Sequence, residues 1–238
     1  MYRSIPDEIF HIHTYRCKHA DNISDSEYIE KAIELGASRI VFTDHAPFPG
    51  NPFGNRMDIE QLPEYINTLS TLRNKYKDKI DIITGLEIEF LPSYMDYYRE
   101  LKNNSGLDLL ILGQHFYERE PDHYSFSDED KSMEYIGLSQ AIIQGITTKL
   151  FDVVAHPDRS FKRRAEFGNY EQAVAINMIN TATRYSVYFE QNYSSMQRKN
   201  QYRQEFWDLL PSKARIIHGI DAHSIEEMVE GVEFFRNH

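Results

Sequence analysis

Apolar residues fall along the 238-residue chain in two alternating patterns. Short, nearly continuous apolar runs occur at Ile9–His13, Arg39–Thr43, Ile80–Glu89, Leu107–Gly113, Phe151–His156, Ser186–Glu190 and Ala214–Ile220. Such runs predict parallel strands covered on both faces, because a strand with one wet face would alternate apolar and polar positions. Helical periodicity fills the intervals. Ser26–Leu35 sets Tyr28, Ile29, Ala32, Ile33 and Leu35 near a 3.6-residue period, and Gly36 follows as a stop signal. Ile59–Tyr76 places Leu62, Tyr65, Ile66, Leu69, Leu72 and Tyr76 on one face. Tyr94–Leu101, Met133–Thr148, Tyr170–Thr183 and Ile225–Phe235 behave similarly, and Gln201–Leu210 predicts a shorter helix.

Seven strands alternating with helices predict an α/β fold, a seven-stranded (β/α)7 barrel, rather than an open doubly wound sheet. The potential site residues gather at the C-terminal ends of nearly all the strands, whereas an open sheet would focus its site at one switch point. No internal repeat, low-complexity segment or Pro/Ser linker interrupts the pattern, so residues 1–238 read as a single domain.

Composition changes this picture little. Hydrophobic residues make up 41% and charged residues 26%, an ordinary soluble balance. No run of about 18 apolar residues predicts a membrane span. The start, MYRSIPDEIFHIH, lacks the apolar stretch of a secretory signal, which argues against export. A single cysteine, Cys17, excludes an internal disulfide framework and suits the cytoplasm. The net charge of −11 disfavours nucleic acid and anionic membrane as partners. A small phosphate ester is still compatible, because bound divalent cations would reverse the sign locally. Oligomeric state leaves no mark in the sequence.

The candidate chemistry lies at the strand ends. The first strand ends His11-Ile12-His13, where a two-residue alternation would put both imidazoles on one side of the strand, as chelation of a metal requires. His19 follows in the next loop. Later strands end in Asp44-His45, Glu87-Ile88-Glu89, His115, His156-Pro157-Asp158-Arg159 and Asp221-Ala222-His223. Core histidines scattered at random would not choose that edge repeatedly.

The segments HIHTYRCKHA, IVFTDHAPFP, ITGLEIEF, LGQHF, DVVAHPDR and GIDAHS resemble, in order, the motifs of the polymerase-and-histidinol-phosphatase (PHP) superfamily. Cys-x-His-Ala and Asp-His-Ala-Pro-Phe are most similar to its histidinol-phosphatase branch. The resemblance implies a distorted seven-stranded βα barrel and three divalent metal ions. It implies that His11, His13, Glu87 and Asp221 hold the first ion. Glu87 would bridge to a second, held also by His115 and His156, and His19, His45 and His223 would hold the third. A ligand set of imidazoles and carboxylates without thiolate suits Zn, Mn or Fe. Cations of this kind acidify a water held between them. Such chemistry needs neither a Gly-x-Ser-x-Gly elbow nor a Gly-rich phosphate loop, and the chain has neither.

Glu87 and Asp221 are thus catalytic candidates, and two residues outside the ligand set join them. Arg159 could fork onto a substrate phosphate or be a solvated loop arginine; Arg16, Lys18 and Lys162 are weaker versions of that idea. Asp44, beside His45, could orient a ligand or donate a proton, although ordinary hydrogen bonding at a strand end explains it too. Glu89 shares a face with Glu87 and could play a supporting role. Asn192 reads as structural and Cys17 as a packed loop residue. The Pro47–Asn55 loop could close over a substrate or pack on the rim. His123, His218 and His238 lack motif context.

Together these features predict a metal-dependent phosphomonoesterase resembling histidinol-phosphate phosphatase. One alternative is a related phosphoesterase acting on phosphotyrosine, a nucleotide or a nucleic-acid end. Others are a non-catalytic metal-binding domain and a deaminase-type metal barrel, whose pattern would lack His19 and the Asp44-His45 step. Ile220 stands where many relatives carry Ser, a departure that could alter the pocket wall.

Overall fold

The computed structural model describes residues 7–104 and 106–237. His238 therefore lies outside the described residues. The strands are β1 (Glu8–Ile12), β2 (Arg39–Phe42), β3 (Asp81–Ile88), β4 (Leu109–Leu112), β5 (Glu118–Glu120), β6 (His123–Tyr124), β7 (Val153–Val154), β8 (Tyr188–Asn192) and β9 (Arg215–Gly219). The helices are α1 (Asp25–Glu34), α2 (Leu62–Tyr76), α3 (Met95–Asn103), α4 (Glu134–Thr148), α5 (Asn169–Tyr185), α6 (Tyr193–Gln197), α7 (Gln204–Trp207) and α8 (Ile225–Asn237). Seven strands form one sheet in the order β1-β2-β3-β4-β7-β8-β9, while β5 and β6 make a separate antiparallel hairpin. Strands adjacent in that sheet follow one another in sequence with helices between most of them, the topology of a seven-stranded βα barrel.

The chain divides into two compact units. One comprises residues up to Glu87, Asn104–Leu110 and residues from Ile217 on; the other comprises Ile88–Asn103 and Ile111–Ile216.

In the first unit β1 pairs in parallel with β2, and β2 with β3. All five residues of β1 are buried, including Glu8, whose carboxylate accepts from Arg39 at 3.0 Å. Residues just past β9 return to β1, where Ile12 and Ala222 form a parallel bridge. Helix α1 starts at a capping box, Ser24 with Glu27, and buries Tyr28, Ile29 and Ala32. Gly36, at φ 82°, ends it as its position predicts. Helix α2 buries Leu62, Tyr65, Leu69 and Tyr76, while Ile66 and Leu72 from the same predicted face are half-buried.

In the second unit β7 pairs in parallel with β8, and α4 packs on α5. Gly145 of α4 lies so close to the sheet that an added Cβ would stand 2.8 Å from Leu112 Cδ2, which fixes the approach of this helix. Among the described residues no helix is long and apolar enough to cross a membrane.

The chain after β1 is secured by a buried cation. Arg16 donates to Thr14 Oγ1 (3.0 Å), to both oxygens of Asp25 (2.8 and 2.9 Å) and to both oxygens of Glu64 (2.9 and 3.0 Å). Its guanidinium is thereby committed to α1 and α2, so Arg16 is not a phosphate-binding candidate. Lys18 likewise pairs with Asp58 at 2.6 Å. Removing one member of a buried pair leaves the other charge uncompensated. Arg16→Met should therefore cost about 3 kcal/mol of stability, read from the urea midpoint at unchanged slope; a loss below about 1 kcal/mol, the range of an exposed pair, would contradict the assignment.

Candidate metal centre

The first histidine pair is brought together by a different route from simple alternation. The pairing of β1 with β2 shifts between Phe10 and Ile12, and His11, within this bulge, has φ 73°. The His11 carbonyl accepts from the amides of Asp221 (2.9 Å) and Ala222 (3.2 Å), and the His13 amide donates to Ala222 O (2.9 Å). Asp221 is itself left-handed at φ 62°. Two non-glycine residues in this region cost about 1–3 kcal/mol each, a cost that concentrates at functional sites.

The bulge turns both rings toward two carboxylates. Ring centroids of His11 and His13 are 4.9 Å apart. Glu87 Oε2 stands 3.4 Å from His11 Nε2 and 3.5 Å from His13 Nε2; Asp221 Oδ1 stands 3.8 and 3.3 Å from the same atoms. The residues are 0%, 0%, 1% and 4% exposed for His11, His13, Glu87 and Asp221. These separations exceed a good N–H···O bond. They match the roughly 3.4 Å expected between two ligands each about 2.0–2.1 Å from one tetrahedral cation. Both ring nitrogens of His13 are buried without a hydrogen bond among the described residues. Buried polar atoms are rarely left so unless something else occupies their lone pairs. The donor set fits a divalent cation.

A second group borders the first. His45 Nδ1 is 3.1 Å from Glu87 Oε2, so one carboxylate reaches imidazoles of both groups. The His13 ring stacks on His223 (4.4 Å) and lies 4.5 Å from His45; His19 lies 4.5 Å from His223 and 5.3 Å from His45. Backbone carbonyls set two of these rings: His19 Nδ1 faces Cys17 O at 2.7 Å and His223 Nδ1 faces Asp221 O at 3.2 Å. A proton held on Nδ1 by each carbonyl would leave Nε2 with the lone pair that a metal needs. Burial, then the neighbouring His13, push the His223 imidazole down to about 3, so it is neutral and able to ligate near neutral pH.

Asp44 is buried with both oxygens engaged, by the Thr14 amide and hydroxyl at 2.7 Å each. Burial raises its carboxyl, against the pull of His13 and the two Thr14 donors. It ties the chain after β1 to the end of β2. Cys17 lies within ligand distance of His19 and His223, yet burial and then Asp44 push its thiol up to about 12 and keep it protonated. The Pro47–Asn55 loop is anchored: Phe48 is fully buried, and the Arg56 guanidinium sits 5.4 and 5.5 Å from the Phe48 and Phe53 rings while donating to Ala46 O.

In the second unit the His115 and His156 rings are 5.2 Å apart. Glu89 accepts from His115 Nδ1 at 2.9 Å, the carboxylate–histidine arrangement that fixes a ring's orientation. His156 has φ 33°, and its amide donates to buried Glu190 at 3.1 Å. Arg159 donates to Ser195 Oγ (3.0 and 2.8 Å) and to Asn192 Oδ1 (3.1 Å), so it is a held residue and not a solvated one. Asn192 caps α6 and donates to Glu190, the structural part expected of it. Sequence reasoning passed over Ser195 and Glu190, which no spacing rule connects to His156 or Arg159. Asp158, given no role in the His156-Pro157-Asp158-Arg159 step, accepts from the Arg203 amide and Trp207 Nε1 and is pushed up to about 6 by burial. Of the remaining histidines, His218 stacks on Phe235 at 4.6 Å and His123 is exposed.

Known proteins share this architecture. A family model described as the PHP domain matches residues 10–194. A "Probable histidinol-phosphatase" of Deinococcus radiodurans is 31% identical over 156 residues, covering 62% of this chain and 59% of that protein. The histidinol-phosphatase of Bacillus subtilis is 34% identical over 114 residues, covering 44% and 42%. The chain spans about half the length of these curated relatives. Among solved structures, a Listeria monocytogenes chain named as a histidinol phosphatase superimposes with a TM-score of 0.79 at 18% identity, over 95% of this chain and 99% of its own. The histidinol phosphate phosphatase of Lactococcus lactis, solved with zinc, L-histidinol and phosphate, gives 0.69 at 16% identity over 96% and 93%. At those identities the likeness establishes a shared fold. With the family model matching most of the chain, and the strand-end histidines and acids gathered as described, the protein belongs to the PHP domain family.

Proposed function

We propose that this protein is a metal-dependent phosphomonoesterase that hydrolyses L-histidinol phosphate to L-histidinol and phosphate. The observation that carries the proposal is His13, buried without a hydrogen bond on either ring nitrogen among the described residues and flanked by Glu87 and Asp221 at ligand separation. His11, His13, Glu87 and Asp221 would hold one ion, and His19, His45 and His223 a second. His115 and His156 would serve a third, giving three ions of Zn, Mn or Fe. When bound, such ions acidify the attacking water and neutralise phosphoryl oxygens. In the reaction the water oxygen bonds to phosphorus, the phosphorus–oxygen bond to the substrate carbon chain breaks, and the departing alkoxide takes a proton.

The chain's own residues prepare that step. Glu87, within 3.5 Å of nitrogens on His11, His13 and His45, is the side chain best placed to be shared between two ions. Glu89 holds His115 so that its other nitrogen is available. Arg159, braced by Ser195 and Asn192, presents a guanidinium suited to a phosphoryl group. The substrate is supported by the names of the relatives and by the ligands of the Lactococcus structure. Small molecules are favoured over nucleic acid by the net charge of −11.

A second reading keeps the chemistry and changes the phosphoester. Its support is that the matched stretches cover only 59% and 42% of the two curated relatives, and 62% and 44% of this chain, so much of the pocket wall lies outside the likeness.

A panel of histidinol phosphate, phosphotyrosine, nucleoside monophosphates and p-nitrophenyl phosphate separates these readings. A kcat/KM on histidinol phosphate roughly a hundredfold above the others is expected, about 3 kcal/mol of added transition-state binding. Comparable values on all would favour the second reading. Metal-replete protein inert toward every member would point to a non-catalytic metal-binding domain. Glu87→Gln should leave a folded chain with a metal content lowered by about one ion and kcat reduced roughly a thousandfold, several kcal/mol of lost charge stabilisation. Near-normal turnover at full metal content would contradict a shared carboxylate.

A further inference from the structure

Within the second unit the imidazole of His156 depends on a backbone that its own sequence disfavours. His156 has φ 33° and ψ 58°, left-handed without being glycine. Pro157 follows it, and a residue before proline is driven toward extended backbone. The strand ladder would also carry it straight on. β7 and β8 pair in parallel at Val153 with Tyr188 and at Val154 with Phe189, so the next residues in register are Ala155 and Glu190. Local preference and ladder geometry thus both favour an extended residue here. A conformation strained in this way persists only where the surrounding groups over-determine it.

Two hydrogen bonds hold it. The His156 carbonyl accepts from the Arg159 amide at 3.0 Å, which closes the 3-10 turn Pro157–Phe161. The His156 amide, past the last paired residue of β7, donates to Glu190 Oε2 at 3.1 Å. The same oxygen accepts from Asn192 Nδ2 at 3.0 Å. Glu190 is 0% exposed and His156 2%. A side chain of β8 has taken the place that a main-chain carbonyl would fill in a continued ladder. A buried amide without an acceptor is costly, so the acceptor selects the backbone that reaches it. With that backbone the His156 ring lies 5.2 Å from the His115 ring. Glu89 orients His115 through its ring nitrogen, whereas Glu190 acts on the main chain of His156.

We propose that Glu190 is a positioning residue: by accepting from the His156 amide it holds the left-handed turn that aims this imidazole at the metal site shared with His115. The proposal rests on the metal reading above and adds a residue that acts only through His156.

The test titrates zinc into the metal-free full chain against a chromophoric chelator, with His156→Ala identifying the zinc step that belongs to this pair. Glu190→Leu removes the acceptor, Glu190→Asp withdraws it by one methylene at unchanged charge, and Glu190→Gln keeps an oxygen for the amide. The Leu and Asp variants should weaken that one step about tenfold to a hundredfold, the range for outer partners of metal ligands, while Gln stays close to wild type and the other steps do not move. In a His156→Ala background Glu190→Leu should change zinc binding no further. A Gln variant as damaging as Leu would overturn the proposal, because the carboxylate would then act through its charge or as a ligand. So would equal weakening of every zinc step, which a merely structural role produces, or unchanged zinc binding in whichever of the Leu and Asp variants folds. If His156→Ala itself alters no zinc step, the metal reading of the pair fails and the proposal falls with it.

Discussion

Burying imidazoles and carboxylates together at ligand separation is the constraint on which the first unit depends. His11, His13, Glu87 and Asp221 are all but excluded from solvent, at separations too long for strong hydrogen bonds. An isolated buried polar group costs about 1–3 kcal/mol and a buried charge more. Two carboxylates within 4 Å of the same pair of imidazoles compound that cost. A divalent cation removes it at once, giving the carboxylates a counter-charge and the imidazole lone pairs a ligand site. In its absence the same cluster is a source of instability, so folding and metal loading are thermodynamically linked.

The surrounding structure spends conformational energy to hold this arrangement. His11, Asp221 and His156 all adopt left-handed backbone without being glycine. In the first unit the hydrogen bonds between the His11 carbonyl and the amides of Asp221 and Ala222 make the two strained residues support each other. Orientation of the rings is delegated to fixed acceptors: the carbonyls of Cys17 and Asp221 for His19 and His223, and the Glu89 carboxylate for His115. The carboxylate is the stronger orienter of the three. Outside the cluster, Asp44, Thr14 and Arg16 form a buried chain of contacts running from the end of β2 to α1 and α2. The loop bearing His19 is thereby anchored at its start.

Much of this was legible in the sequence because it follows from periodicity. The run Leu107–Gly113 reads as a strand with both faces covered, and the four residues within it that form β4, Leu109–Leu112, are all buried. Gly36 marks the end of α1 by chemistry that needs no tertiary context. The strand-end histidines and acids were visible as a pattern, and seven of them do converge in the first unit. Other features were not legible. The β5–β6 hairpin has strands of three and two polar residues, too short for any period to show. Strand β7 is just Val153–Val154, a fraction of the apolar run around it, because His156 turns out of line immediately after. The bulge at His11 defeats alternation, since an extra residue in one strand changes which face every later side chain takes. Partners far apart in sequence, such as Arg16 with Glu64 or Arg159 with Ser195, carry no local signal at all.

The central claim is that the buried cluster exists to bind cations, and zinc-edge anomalous diffraction from crystals of the zinc-loaded protein tests it directly. The expected result is one anomalous peak about 2.0–2.2 Å from His11, His13, Glu87 and Asp221, and a second bounded by the imidazoles of His45, His223 and His19. A map with no peak at His13, and with the His13 ring hydrogen-bonded to protein or water instead, would contradict it.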